Sequence, residues 1–117
     1  MGSLMSPTTE KSRIQAQIKR AVARYLRSQW ISIRKDQDQF AGRPNEFLAR
    51  KQIVLHALAG VRLFVLHLWG YYTLNSDSTN RIVDAIDRTS KRIKLLRPRP
   101  ARPIVIILDQ VSLPVGR

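Results

Sequence analysis

Residues 52–74 read QIVLHALAGVRLFVLHLWGYYTL and form the most apolar stretch of the chain. As a helix rising 1.5 Å per residue, this stretch is about 35 Å long, which is enough to cross a membrane. Arg62 lies near its middle, and the cost of burying that charge in lipid nearly cancels the gain from the apolar side chains. Insertion is therefore marginal, so a protein interface is the other place where this stretch can be buried.

Both ends of the stretch resemble the borders of a membrane span. Trp69, Tyr71 and Tyr72 at one end are typical of an aromatic belt, and Arg50 and Lys51 precede the other end as a basic flank. A single membrane-spanning helix over 52–74 is therefore one prediction. The alternative is the central helix of a bundle, in which Arg62 is a buried or interface charge with a partner.

Several small and polar residues lie near one face of this predicted helix, because residues spaced by four, seven or fourteen positions have similar directions around a helix axis. We expect this face to pack against another helix, since small residues allow close approach. Its four positions are His56, Gly60, His67 and Gly70. His56 and His67 lie about 16 Å apart along the axis, too far to share one ion, so we predict packing roles and no metal or haem.

Hydrophobic periodicity on both sides of this stretch predicts a mainly α fold. A first helix carries an apolar stripe that includes Ile18, Val22 and Leu26, and a third has Ile82 and Ile86 in its narrow seam. The polar run after residue 35 predicts a connection, and the Asn and Ser residues after Leu74 predict a stop and a new start. We therefore expect about three helices, roughly over residues 8–35, 45–74 and 78–96.

The C-terminal part differs in composition from this helical region. Pro98, Pro100 and Pro103 alternate with three Arg residues, which predicts an extended linker. A run of β-branched residues follows and predicts a single strand or an extended tail that clasps a neighbour. We therefore divide the chain into a helical region, 1–96, and an Arg/Pro-rich linker with an apolar tail, 97–117.

The chain is strongly basic: 21 Lys and Arg against 8 Asp and Glu give a formal net charge of +13. Such a charge favours anionic lipid or RNA as partners, in addition to other protein subunits. The candidate anion or nucleic-acid contacts lie in the first helix and in the linker: Lys11, Arg13, Lys19, Arg20, Arg24, Arg27, Arg34, Lys35, Arg97, Arg99 and Arg102.

Motifs for catalysis or cofactor binding are not found in this sequence. It contains no Cys, which excludes disulfides and thiolate chemistry, and it has no phosphate loop or nucleophile elbow. Asp36 and Asp38 lack a third acid nearby, so they fit a solvated turn better than a metal site. We predict that the protein is not an enzyme and needs no cofactor.

Charge and apolar length together predict a non-catalytic basic helical subunit of a larger, membrane-associated complex, with a structural or assembly role. A basic amphipathic helix without acids over residues 11–35 has the composition of a mitochondrial targeting segment, so the mitochondrial inner membrane is the predicted location. The alternative is a soluble intracellular RNA-binding protein, ribosomal-type or a viral accessory factor, that contacts phosphates through its first helix. In neither case is the chain expected to be a self-sufficient monomer.

Overall fold

The computed structural model describes residues 7–71, 74–103, 105–108 and 111–114. Three helices dominate it: α1 spans Pro7–Gln39, α2 spans Pro44–Gly70 and α3 spans Ser76–Lys94. Successive helices run in opposite directions, so α3 is parallel to α1. Asn75, just before α3, contacts Gln15 in the first half of α1, and Arg97, just after α3, contacts Gln37 near the end of α1. The predicted mainly α fold with a long apolar central helix is confirmed.

One hydrophobic core lies between the three helices. Each helix contributes a stripe of buried side chains, and Phe40 from the α1–α2 turn extends the core at one end. Its fully buried members include Ile33 from α1, Leu58 from α2 and Ile86 from α3. Tyr25 and Trp30 are half-buried against this core, so they belong to the apolar stripe of α1. The bundle therefore buries one side of α2 without any other molecule.

The turn between α1 and α2 is shorter than the sequence predicts, because α1 continues through the predicted connection to Gln39. Gln37 is buried there, and its Nε2 donates a hydrogen bond to the Arg97 carbonyl at 2.8 Å. Asp38 forms an ion pair with Arg99 at 2.8 Å. The start of the Arg/Pro segment thus packs on the end of α1 and holds that last turn in place.

Gly42 makes this close packing possible. Its φ of 80° lies in the left-handed region, which side chains with a Cβ disfavour. Its N–H donates to the Arg99 carbonyl at 2.9 Å, and a Cβ at this position would lie 2.7 Å from the Ala101 Cβ. The linker has no helix or strand over residues 97–103, and its backbone is fixed against the turn.

Beyond this segment, the backbone forms a two-stranded hairpin. β1, Val105–Leu108, pairs antiparallel with β2, Val111–Pro114, and Leu108 lies opposite Val111. The predicted extended tail is thus paired with itself over these residues. The second helix was predicted to run to residue 74, but α2 ends at Gly70, where Tyr71 is the C-cap and donates its N–H to the His67 carbonyl. Leu74 is not helical, and residues 72–73 lie outside the described residues.

A side-chain cap fixes the start of α3. The Asn75 Oδ1 accepts a hydrogen bond from the Ser78 backbone N–H at 2.8 Å, and its Nδ2 donates to Gln15 at 3.2 Å. The cap satisfies one of the free N–H groups of the first turn. α3 therefore begins at Ser76, two residues earlier than predicted.

We expect Asn75→Ala to lower the free energy of unfolding by about 1 kcal/mol, because it removes the cap of α3 and the bond to α1. Urea denaturation followed by circular dichroism measures the change. Asn80→Ala is the matched control: Asn80 is exposed within α3, where Ala is the better helix former. Equal destabilisation by the two variants would contradict the capping role.

Candidate functional site

α2 has two opposite seams, each with alternating spacings of four and three residues. This alternation is the pattern with which helices pack side by side. The inner seam faces the core and is buried or half-buried along its length: Phe47, Lys51, Val54, Leu58, Val61, Val65 and Leu68. The outer seam is exposed at every position: Ala49, Ile53, His56, Gly60, Leu63, His67 and Gly70. One face of α2 is thus packed against the core, and no other helix of the described chain packs against the opposite face.

Large apolar side chains lie on and beside the outer seam. Ile53 is 62% exposed, Leu63 is 67% exposed and the flanking Phe64 is 58% exposed. Trp69 and Tyr71 extend this exposed apolar surface at the end of the helix. Single exposed apolar residues are ordinary, whereas a contiguous stripe along one helix is a feature of interaction surfaces.

The structure places the four predicted packing residues, His56, Gly60, His67 and Gly70, together on this outer seam. Space around both glycines is open, because a Cβ built at either one meets no other atom within 4 Å. The His67 ring contacts the Tyr71 ring edge-on, with centroids 4.6 Å apart. No helix of the described chain covers this face, so its packing role stays a prediction about another molecule.

Arg62 lies at the edge of the α2–α3 contact. Its Nε donates to the Asp87 carboxylate at 3.1 Å, and both side chains are about half exposed. Such an exposed pair contributes less than about 1 kcal/mol. Spacing within one helix cannot identify a partner on another helix, so the sequence does not show that Asp87 pairs with Arg62. The charge that disfavours membrane insertion thus has a partner inside the bundle.

Lys51 was predicted to flank a membrane span, and the structure places it in the inner seam instead, where it is only 7% exposed. Its Nζ donates to the carbonyls of Lys94 and Leu96 at 2.9 and 2.8 Å. These carbonyls end α3, where helical partners are missing and a cation is favoured. The sequence does contain a pattern that indicates this buried position: Lys51 follows Phe47 by four residues and precedes Val54 by three, as members of the inner seam do.

The predicted cationic residues of α1 are all exposed, and part of them border a continuous groove. One section, about 430 Å³ in volume, runs along α1 between Arg24 and Lys35. A second section, about 580 Å³, shares Ile31 and Lys35 with the first and reaches Arg92 of α3. This cationic groove is lined by Arg24, Arg27, Ser28, Trp30, Ile31, Ser32, Arg34, Lys35, Asp38 and Arg92.

Within the groove, two guanidinium groups approach one aromatic ring. Arg92 lies 4.0 Å and Arg34 lies 5.6 Å from the centre of the Trp30 ring. Cation–π contact fixes both groups near the surface, where they can bind an anion. Of the predicted linker cations, Arg99 is paired with Asp38, and Arg97 and Arg102 are exposed.

Two surfaces are therefore candidates for function: the apolar outer seam of α2 and the cationic groove of α1 and α3. α2 is also long and apolar enough to cross a membrane. Comparison with family models, with curated proteins and with solved structures finds no match for this chain.

Proposed function

We propose that the protein is a non-catalytic basic helical subunit of a larger, membrane-associated assembly, in which another molecule covers the outer seam of α2. The observation that carries the proposal is the exposed run of Ile53, Leu63 and Phe64 on one face of α2. Removing apolar surface from water contributes about 25 cal/mol per Å². A stripe along a whole helix thus supplies a substantial driving force for association.

Retention of α2 in the bundle favours burial at an interface over a membrane span. To cross a bilayer alone, α2 would have to leave α1 and α3 and break the contacts of Lys51 with the end of α3. It would also carry Arg62 into the hydrocarbon without Asp87. α1 and α3 are too charged to follow it. We therefore propose that the membrane contact is peripheral.

The high positive net charge favours an anionic membrane surface as the place where this assembly forms. A protein of formal net charge +13 is attracted to anionic lipid, and the eight cations of α1 are exposed to make that contact. We propose the mitochondrial inner membrane as the location, because a basic amphipathic helix without acids over residues 11–35 has the composition of an organellar targeting segment.

RNA binding is the second candidate function, and the cationic groove is the observation that favours it. Between Arg24 and Lys35, its cations extend over about 16 Å of α1, so that several can meet successive phosphates. Binding of this kind depends on charge and weakens steeply with salt. Trp30 is half-buried between two Arg side chains, so base stacking contributes little there.

Two charge-matched substitutions separate these functions. Phe64→Glu places a carboxylate beside the outer seam, whereas Ile31→Glu places one in the cationic groove at a side chain of similar exposure. The full chain and both variants are expressed in cells, and membranes are collected at physiological salt. We expect the full chain and Ile31→Glu to sediment with membranes and Phe64→Glu to shift several-fold toward the soluble fraction.

Other outcomes support RNA binding or overturn the proposal. If all three proteins stay soluble, the membrane-associated subunit is overturned. RNA filter binding that falls steeply with salt and is weakened by Ile31→Glu, but not by Phe64→Glu, would then support the second function. Full retention of the wild-type chain after alkaline carbonate extraction would contradict peripheral contact and favour a span by α2.

A further inference from the structure

We propose that the molecule covering the outer seam of α2 is a second copy of this chain, bound antiparallel across a two-fold axis. The inference deepens the proposed function, on which it rests, by naming one partner of the assembly. It starts from the exposed four-and-three spacing of the outer seam, a pattern that packs against another helix. A two-fold axis requires this one surface to be complementary to itself.

The order of residue sizes along the outer seam meets this requirement. When two copies of α2 run antiparallel with the axis between Val61 and Arg62, the large Leu63 of each copy lies opposite Gly60 of the other. Ile53 likewise lies opposite Gly70. Both glycines have open space at the Cβ position, so each can receive a large side chain. Within the paired part of the seam, residues 53–70, both apolar layers thus join a large residue to a glycine, and Ala49 lies beyond the contact.

The remaining layers join His56 of one copy to His67 of the other. A neutral imidazole has one nitrogen that donates a hydrogen bond and one that accepts, so two facing imidazoles can be partners for each other. Lipid offers no such partner in its apolar region, and burying a polar group without one is unfavourable. The two histidines therefore favour a protein helix over lipid as the molecule that covers this seam.

Parallel packing does not fit the seam equally well. In a parallel pair each residue meets its own copy, so Gly60 would face Gly60 and Leu63 would face Leu63. The two glycines would leave a void between the helices, whereas the two leucines would hold the helices farther apart. A straight pair of helices cannot pack well at both positions. The antiparallel order avoids both.

Charge does not oppose this contact locally. None of the seven outer-seam residues is Asp, Glu, Lys or Arg, and Arg62 beside the axis is paired with Asp87 in its own copy. The cations of α1 lie on other faces of the bundle, and physiological salt screens charges beyond about 8 Å. The high net charge therefore weakens the pair without preventing it.

Size predicts a weak dimer. In this register the two copies of the outer seam overlap from Ile53 to Gly70, which is about 26 Å long and one helix diameter of about 10 Å wide and so covers roughly 260 Å². A standard stable interface covers about 800 Å² per partner. We therefore expect monomers and dimers in exchange at micromolar concentrations, with further subunits or a membrane surface needed for lasting assembly.

Sedimentation velocity of the full chain over a range of concentrations tests the proposal, with Gly60→Leu as the disrupting variant. Leu at this position has open space in the monomer but meets Leu63 of the second copy, so we expect the dissociation constant to rise about tenfold or more. Ala23→Leu is the control, because it places the same Leu side chain at an exposed position of α1. Concentration-independent monomer for the wild-type chain overturns the proposal.

Cross-linking tests the antiparallel order, because the chain has no Cys of its own. Ile53→Cys and Gly70→Cys lie opposite each other in the antiparallel pair and about 25 Å apart along one helix. We expect a disulfide-linked dimer when the two variants are mixed and oxidised, and little from either alone. Homodimers of each variant alone would overturn the antiparallel order.

These results are independent of membrane retention. Monomeric protein that still requires Phe64 to sediment with membranes would overturn the second copy and leave the membrane-associated subunit standing. Dimeric protein that stays soluble in cells would overturn membrane association and leave the dimer standing.

Discussion

Phe47→Ala is expected to lower the free energy of unfolding by about 3–5 kcal/mol, because it empties the largest fully buried site of the core. Phe47 lies in the first turn of α2, and its N–H donates to the carbonyl of Arg43, whose own N–H donates to the Phe40 carbonyl in the α1–α2 turn. Domains are stable by only about 5–15 kcal/mol, so this loss is a large fraction of the total. The variant should therefore unfold at a markedly lower urea concentration than the wild-type chain.

Phe64→Ala is the matched control, since it removes the same side chain from the exposed face of the same helix. We expect it to change the stability of the monomer by less than about 0.5 kcal/mol. Urea denaturation at low protein concentration compares the two without a contribution from self-association. Similar midpoints for both variants would contradict the orientation of α2, because they would mean that its two faces are equally exposed.

Much of this fold can be predicted from the sequence because α1 and α3 each have a single apolar stripe. Ile82 and Ile86 were predicted to lie in the seam of α3, and both are buried, as is Ile93 farther along the same helix. A helix with one apolar face has one way to turn toward a core. The number, order and type of the helices follow from such stripes and from the turn residues between them.

The orientation of α2 could not be predicted in the same way. It is apolar nearly all round, so periodicity alone does not decide whether Leu58 or Leu63 faces the core. The helices that pack against α2 determine which side is buried. Leu58 is buried in the same core as the apolar stripe of α3, and Leu63 is exposed. The small and polar face was identified from spacing, but whether it is filled depends on contacts between helices.

Contacts between residues that are far apart in the chain also could not be predicted from the sequence. α1 continues to Gln39 because the Arg/Pro segment, about 60 residues later, supplies Arg97 and Arg99 as partners for its last turn. Local composition there, with Asp36 and Asp38, predicted a solvated connection. Long-range bonds of this kind override local propensity, and no spacing rule within one helix shows them.

Lys51→Glu is expected to lower the free energy of unfolding by at least about 3 kcal/mol, because it buries an uncompensated charge. The ammonium group of Lys51 donates to two carbonyls at the end of α3. A carboxylate cannot donate to them, and it would place a negative charge at the negative end of the helix dipole. Urea denaturation should show a markedly lower midpoint.

Two other substitutions separate charge from packing at this position. Lys51→Met keeps the length of the side chain and removes its donors, so we expect a smaller loss of about 1–3 kcal/mol. Arg50→Glu makes the same reversal of charge at the neighbouring exposed residue, and we expect it to be nearly neutral. Equal effects of Lys51→Glu and Arg50→Glu would contradict the buried position of Lys51.

The pH dependence of stability gives a second measure of the same residue. Burial lowers the pKa of the Lys51 amine below its ordinary value of 10.5. The unfolded chain therefore holds this proton more tightly than the folded chain, so the contribution of Lys51 to stability rises as pH increases through the lowered pKa toward 10.5. In Lys51→Met this rise should be absent from the alkaline part of the stability curve. A rise of unchanged size in the variant would mean that other groups cause it, and that Lys51 titrates as it does in the unfolded chain.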